Sequence, residues 1–398
     1  MKTNDPLTSR LHSMGALERK IEILGDASKF DVCASMASPR TVSSENRIGN
    51  PDKIGICHAF APDGRCISLF KVLMTNHCIY DCKYCVNNSN NAKNKVMFEP
   101  VELARAFMGL YIRNYVEGLF LSSGVWRSAT DTAEKMIEAL DLIRNKYHFR
   151  GYIHVKILPG TSKSHIKQIM KIADRVSLNV ELPSSCRLSE VSSMKNFNTD
   201  IIRCQKFIYH YIKEGLLPAG QTTQFIVGTT GESDHEIVER LHWEYQNLDL
   251  RRGYFSAFTP IKGTPLESKK IPEIYHRKRE NFLYRVDWLY RRYNYEIKNI
   301  YSIMDEKGMI PLNIDPKVSL ALKDDIFPID VNEASFDELL RVPGIGEVSS
   351  KRIINLRRVN KKIENYKDLQ RLGVVLKRAK SFITVNGQRQ TSLKEFYR

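Results

Sequence analysis

From residue 68 onward, the apolar and polar positions switch between two periods. Short apolar runs of strand character recur as SLFKVLMT (68–75), GLFLSS (118–123), GYIHVKIL (151–158), RVSLNVEL (175–182), GQTTQFIVG (220–228) and GYFSAFTP (253–260). Between and after them, apolar residues recur at helical spacing in 100–118, 130–147, 162–174, 200–215, 233–248 and 272–293, which predicts helices there. A Thr or Asp N-cap, Thr130 or Asp131, opens the second of these. Upstream, LERKIEILGDASKF (17–30) predicts a short helix, followed by a segment rich in Ser, Asn and Pro.

Strand–helix alternation of this kind predicts a parallel sheet with right-handed crossovers. Six units fall short of the eight in a closed barrel. The expected fold is therefore α/β, an open, partial (β/α)6 TIM-like barrel, with a doubly wound sheet as the alternative. In either, chemistry sits at the C-terminal ends of the strands. The pattern changes after an irregular stretch with two prolines. SFDELLRVPGIGEVSSKRIINLRR reads as helix, tight turn and helix, and NYKDLQRLGVVLKRAKSFI repeats that plan more weakly. The expected organisation is an N-terminal extension (1–50), a barrel (51–295), a linker (296–327) and a small all-α domain (328–398).

Charge adds a partner to this picture. The 398 residues carry a formal net charge of +16, an excess that favours a polyanion such as DNA or RNA. In the tail, 328–398, fifteen Lys and Arg face eight Asp and Glu, a net of +7. No apolar run is long enough to span a bilayer, and the first twenty residues lack the apolar core of a secretory signal. A cytoplasmic location is the expectation, and there clustered cysteines serve metals or catalysis more often than disulfides.

Three of the eight cysteines, Cys78, Cys82 and Cys85, fall within eight residues as C-x3-C-x2-C, in the loop after the first strand. A [4Fe–4S] cluster takes four thiolates when it only carries electrons. Three leave one iron free to bind a substrate. Structural zinc prefers four ligands, and His77 is too close in sequence to Cys78 to complete such a site readily. Zinc and unligated thiols remain the alternatives to a cluster.

CIYDCKYC is similar to the cysteine signature of the radical S-adenosylmethionine (SAM) superfamily, including the aromatic Tyr84 before the third cysteine. The resemblance covers about 68–265. It implies a [4Fe–4S] cluster on Cys78, Cys82 and Cys85, with SAM chelating the free iron. It further implies a 5'-deoxyadenosyl radical that abstracts hydrogen from substrate, and an external one-electron reductant such as flavodoxin or ferredoxin. Ser122, Ser123 and Gly124 match by position a Gly-Gly-Glu segment that meets the SAM amine, although the acidic residue is absent. Glu181 resembles the carboxylate that binds the ribose hydroxyls, and Arg187 is the candidate for the SAM carboxylate. FIVGTTGES resembles the segment near adenine, and FTPIKGTPL resembles the last strand of biotin-synthase-like members.

Of the other cysteines, Cys186 follows the fourth strand and is a candidate hydrogen donor to a product radical. A buried free cysteine more often serves only as a small apolar side chain. Cys33, Cys57 and Cys66 are too irregularly spaced to argue for a second cluster. Residues 330–358 resemble a helix-hairpin-helix element centred on Val342-Pro343-Gly344-Ile345-Gly346. Such a turn lets a backbone approach a surface closely, and the amides opening the second helix favour phosphate. Gly344, Ile345, Gly346, Lys351 and Arg352 are the expected DNA contacts, with Lys377, Arg378 and Lys380 as further phosphate partners. Binding of that kind reads backbone and not bases. The long helix at 272–293 mixes aromatics with arginines; it either touches nucleic acid or packs on the sheet. Over nearly its whole length the chain resembles a bacterial family of radical SAM proteins assigned to DNA modification or repair. An RNA-modifying enzyme, for instance one acting on a tRNA base, and a non-catalytic iron–sulfur scaffold or redox sensor on DNA are the alternative functions.

Overall fold

The computed structural model describes residues 6–28, 55–60, 66–91, 94–217, 219–268 and 273–388. Cys33 and most of the Ser- and Asn-rich segment lie outside them. The chain divides into two compact units, 1–232 with 239–277, and 233–238 with 278–398.

The first unit is built on a curled half-barrel sheet of seven strands in sequence order: β1 (Ile56–Phe60), β2 (Cys66–Leu73), β3 (Gly118–Ser122), β4 (Tyr152–Lys156), β5 (Arg175–Ser177), β6 (Gln221–Val227) and β7 (Arg252–Ala257). β2 to β7 are parallel, as the alternation predicted. β1 pairs antiparallel with β2 and was not anticipated. Its five residues, ICHAF, are too few to show a period. Helix α1 (Pro6–Ala27) precedes the sheet. The crossovers carry α2 (Pro100–Ile112), α3 (Ala129–Asp141), α4 (Lys163–Ile172), α5 (Ser185–Val191), α6 (Arg203–Lys213) and α7 (Asp234–Leu248). Local chemistry sets their starts. Pro100 occupies the first turn of α2, and Ser128, Ser162 and Ser184 cap α3, α4 and α5 by accepting from backbone amides. The cap of α3 is thus Ser128, and neither Thr130 nor Asp131. Ser128 has the extended backbone a cap needs, and it accepts from the Asp131 amide.

The two faces of the sheet differ. Paired residues share a face, and Phe70, Leu119 and Ile153 form one row, with Val72, Leu121, Val155 and Val176 the next. All are at most 1% exposed. Helices cover this face: a Cβ on Gly253 of β7 would lie 2.5 Å from Leu241 of α7. At about 1.5–3 kcal/mol for each large apolar side chain fully buried, these rows hold the helices to the sheet. The other, concave face is polar. Its rows run Lys71, Phe120, His154, Arg175 and Lys156, Ser177, Thr222, Arg252.

β5 departs from expectation. Only three of the eight apolar-rich residues pair as a strand. The chain then turns, with Leu182 N–H bonded to Val180 O at 2.8 Å and Glu181 at φ +63°; Leu178 and Val180 still bond to Thr222 and Thr223 of β6, and Glu181 makes an isolated bridge to it opposite Phe225. A left-handed non-glycine residue is uncommon. Here it swings a carboxylate to the C-terminal rim.

The second unit includes most of α8 (Glu273–Tyr293), the helix in which the division falls. Residues 296–327 are less irregular than their sequence indicates, since α9 (Ile297–Ser302) and α10 (Pro316–Leu322) form within them. Asp315 caps α10 and Pro316 starts it. Then come β8 (Ile329–Asp330), α11 (Phe336–Arg341), α12 (Glu347–Arg358), α13 (Tyr366–Arg371), α14 (Leu376–Ala379) and β9 (Ile383–Thr384), which pairs parallel with β8. α11 with α12 and α13 with α14 are two hairpins around one core that includes Val342, Ile345, Ile353, Leu369 and Ile383.

Candidate active site

The loop between β2 and α2 carries the three cysteines at the C-terminal rim of the sheet. It is fastened on several sides. Ile79 N–H bonds to Val125 O at 2.8 Å and Lys83 N–H to Val191 O at 2.9 Å. Asp81 accepts from the Ser192 and Ser193 hydroxyls, both at 2.6 Å, and from the Ser193 amide at 2.9 Å. Burial opposes its charge, but these donors outweigh it and hold Asp81 well below the usual carboxylate range. Inside the loop, Cys85 N–H bonds to Cys82 O at 2.9 Å, and the Asn87 amide points at Cys85 Sγ at 3.4 Å.

These residues fit an iron–sulfur cluster. Burial, then the neighbouring Cys82, pushes the Cys85 thiol up to about 12, and burial raises Cys82 as well. Burial disfavours a free thiolate at Cys82 and Cys85, whereas metal binding removes the proton and neutralises the buried charge. Among the described residues, no three His, Cys, Asp or Glu side chains converge on a single metal ion. A cluster spreads its thiolates over separate irons, so the sulfurs need not meet at a point.

Glu181 faces this loop. Its Oε2 accepts from the Tyr84 hydroxyl and from Lys195 Nζ, the latter at 2.9 Å. The Lys195 and Glu181 side chains are 5% and 14% exposed. Burial works against the charge of Lys195, yet Cys82 and Glu181 outweigh it and keep this ammonium well above the usual lysine range. Both donors use Oε2, which leaves Oε1 to accept from a ligand. Tyr84 and Glu181, singled out separately in the sequence, are therefore one unit. Lys195 and Asp81 were missed, because single polar residues in loops have no periodicity to mark them.

The segment after β3 packs tightly under the cysteine loop. Gly124 N–H bonds to Thr75 O at 2.8 Å, and a Cβ on Gly124 would lie 2.2 Å from His77 O. Ser122 is buried, and Ser123 Oγ is buried with no hydrogen-bond partner. A hydroxyl left so is suited to receive an ammonium. Gly228, after β6, has φ +91° and backs onto the His276 ring. Arg187, at the start of α5, meets Glu190 Oε1 at 3.1 Å and Gly231 O at 3.2 Å. Cys186 beside it is exposed. Cys57 pairs with Leu69 and Cys66 with Phe60, so the two cysteines stand about 10 Å apart along the ribbon, on opposite faces.

In the second unit the turns of the two hairpins meet. Gly344 has φ +86°, and its carbonyl accepts from Val375 N–H at 2.9 Å. A Cβ on Gly344 would lie 2.5 Å from Val375 O. Gly373, at φ +90°, occupies the matching place in the second hairpin, within 3.2 Å of Ser349 and Arg352 measured from a built Cβ. Gly346 is the N-cap of α12 and supplies no side-chain cap. Lys351, Arg352, Lys377 and Arg378 are exposed, and Lys380 is half-buried. Ile345 is a core residue, 1% exposed, and its carbonyl accepts from Lys317 Nζ at 2.6 Å. Burial pushes Lys317 down to about 7 against the pull of Asp315.

Residues 72–243 match the family model "Radical SAM superfamily", and 325–375 match "Helix-hairpin-helix motif". No curated protein matches the sequence. Among solved structures the chain is similar to a methylornithine synthase (14% identity, TM-score 0.41, covering 53% of this chain and 61% of that one). It is also similar to the FeFe-hydrogenase maturase HydG from Carboxydothermus hydrogenoformans (16%, 0.44, 55% and 51%). A third is a radical SAM methyltransferase from Sphaerobacter thermophilus (13%, 0.38, 52% and 63%). The chain thus spans between half and two thirds of each. Residues 72–243, which carry the three thiols and the parallel strands from β3 to β6, are a radical SAM domain.

Proposed function

We propose that this protein is a radical SAM enzyme that modifies or repairs DNA. The observation that carries the reading is the union, in one chain, of an open three-cysteine site with two glycine-turn hairpins rich in exposed cations. The cluster, when bound, would be held by Cys78, Cys82 and Cys85, and with SAM it supplies a 5'-deoxyadenosyl radical for hydrogen abstraction. The protein's part is to bind and orient. Glu181 Oε1 accepts from the ribose hydroxyls while Tyr84 and Lys195 fix its other oxygen. Ser123 Oγ, with the backbone around Gly124, accepts from the methionyl amine. Arg187 offers a guanidinium edge to the carboxylate, and Cys186, exposed beside it, is placed to return a hydrogen atom. Gly346 leaves the first amides of α12 without a side-chain cap, and Lys351 and Arg352 add charge on the same helix, an arrangement suited to backbone phosphate.

The test is anaerobic. Reconstituted protein with dithionite and SAM is assayed for 5'-deoxyadenosine, with and without duplex DNA, beside Cys82→Ala. Cleavage that needs Cys82 and rises with DNA supports the reading. A protein that holds no cluster after reconstitution, or binds RNA in preference to DNA at fixed salt, overturns it.

A further inference from the structure

The concave face of the sheet has a charge pattern that the cluster site does not use. The register places Lys71, His154 and Arg175 in one row and Lys156, Thr222 and Arg252 in the next. None of the strand residues sharing this face is Asp or Glu. Lys156 ends β4, and the pairing of Leu121 with Val155 sets it beside Ser122, at the foot of the segment expected to meet SAM. Two polar atoms here are buried without a hydrogen-bond partner: Arg175 Nε, and Oγ1 of Thr222, a residue 1% exposed. His154, in the first row, reaches across to the second, its Nε2 3.0 Å from Ser177 Oγ. Burial, then the charges of Arg175 and Lys156, holds its imidazole well below the usual histidine range, so it is neutral and able to share a proton with a ligand oxygen.

A guanidinium, an ammonium, a hydroxyl and a neutral imidazole on one concave surface are the donor set of a phosphate site. We infer that the inside of the half-barrel binds a phosphate group of the substrate, with Arg175 and Lys156 as its cationic partners and Thr222 as a hydroxyl donor. This deepens the DNA reading and rests on it: the reacting nucleotide is held by its own phosphate inside the barrel, while the hairpins hold the flanking strand. The inference predicts that even a single nucleotide binds, independently of the tail.

Binding is measured with the reconstituted full chain by equilibrium dialysis, without turnover. The probes are deoxynucleoside 5'-monophosphates, the matching nucleosides and, as competitor, inorganic phosphate. The monophosphates bind about tenfold or more tighter than the nucleosides, inorganic phosphate competes, and Arg175→Gln with Lys156→Gln removes the preference. Thr222→Val, which keeps the side-chain volume, lowers it and stands in if the double variant does not fold. Equal binding of nucleotide and nucleoside, or a folded double variant that keeps the preference, overturns the inference. Lys351→Ala with Arg352→Ala separates the two readings. It weakens duplex binding and leaves mononucleotide binding unchanged; if duplex binding is unmoved, the role given to the hairpins fails while the barrel site stands.

Discussion

Glu244 of α7 is fully buried, and Gln205 Nε2 of α6 donates to its Oε2 at 3.2 Å. The other oxygens of both side chains, Glu244 Oε1 and Gln205 Oε1, are buried without partners. Two neighbouring side chains with buried, unpaired acceptors are unfavourable, and a proton on the carboxyl supplies the missing donor. Burial raises the Glu244 carboxyl from its ordinary 4.5 to about 8, opposed by Arg240 and Gln205. A protonated Glu244 donates to Gln205 Oε1 and satisfies both atoms. Folding therefore favours the acid form. The contribution is fully present below pH 4.5, falls as the unfolded chain ionises, and is lost once pH passes 8. At about 1.4 kcal/mol per pKa unit, the loss is about 3 kcal/mol at neutral pH. Glu244→Gln keeps the shape and makes the same two hydrogen bonds without a proton. It should match the wild type at pH 4.5 and gain steadily on it up to pH 8. Urea unfolding followed by far-UV circular dichroism across that range measures the gap. A gap that does not change with pH, or a variant less stable throughout, refutes the reasoning.

Three further outcomes follow from close contacts already described. Gly124→Ala forces a Cβ against His77 O; the expected result is about 1–3 kcal/mol of lost stability and a drop in iron per chain after reconstitution. Lys195→Met leaves the carboxylate of Glu181 buried without its ion-pair partner, which costs about 3–5 kcal/mol and should lower SAM affinity measured by calorimetry, with Lys195→Arg restoring part of it. Gly344→Val introduces a β-branched side chain at φ +86° against Val375 O; duplex affinity should fall while 5'-deoxyadenosine formation without DNA is unchanged.

The sequence was most legible where a feature repeats. All six parallel strands and the longer helices between them were visible in the alternation of periods, because each buries a full face; the seven-residue α5 was not. The cysteine spacing was equally visible, since it is local. β1 was not, being five residues that pair with β2 and carry no pattern of their own. The early end of β5 was hidden because Val180 and Leu182 keep an apolar appearance through a turn. The partners Lys195 and Asp81 act across more than ten and more than a hundred residues, respectively, on Glu181 and on Ser192 and Ser193. Nothing local predicts such pairings. In the tail, the glycine turns announced both hairpins, but the burial of Ile345 depends on a core that includes residues as distant as Ile383.

Asp81 ties the cysteine loop to residues 192–194, and the next residue, Lys195, holds Glu181. The proposed iron ligands and the proposed ribose acceptor are therefore two ends of one bonded assembly. Ordering either end orders the other, so iron loading and nucleoside binding are thermodynamically reciprocal. A chain stripped of iron should lose affinity for the adenosyl moiety by the same factor by which that moiety helps retain iron. The assembly then acts as a quality check, since only a metallated loop presents a competent cofactor site.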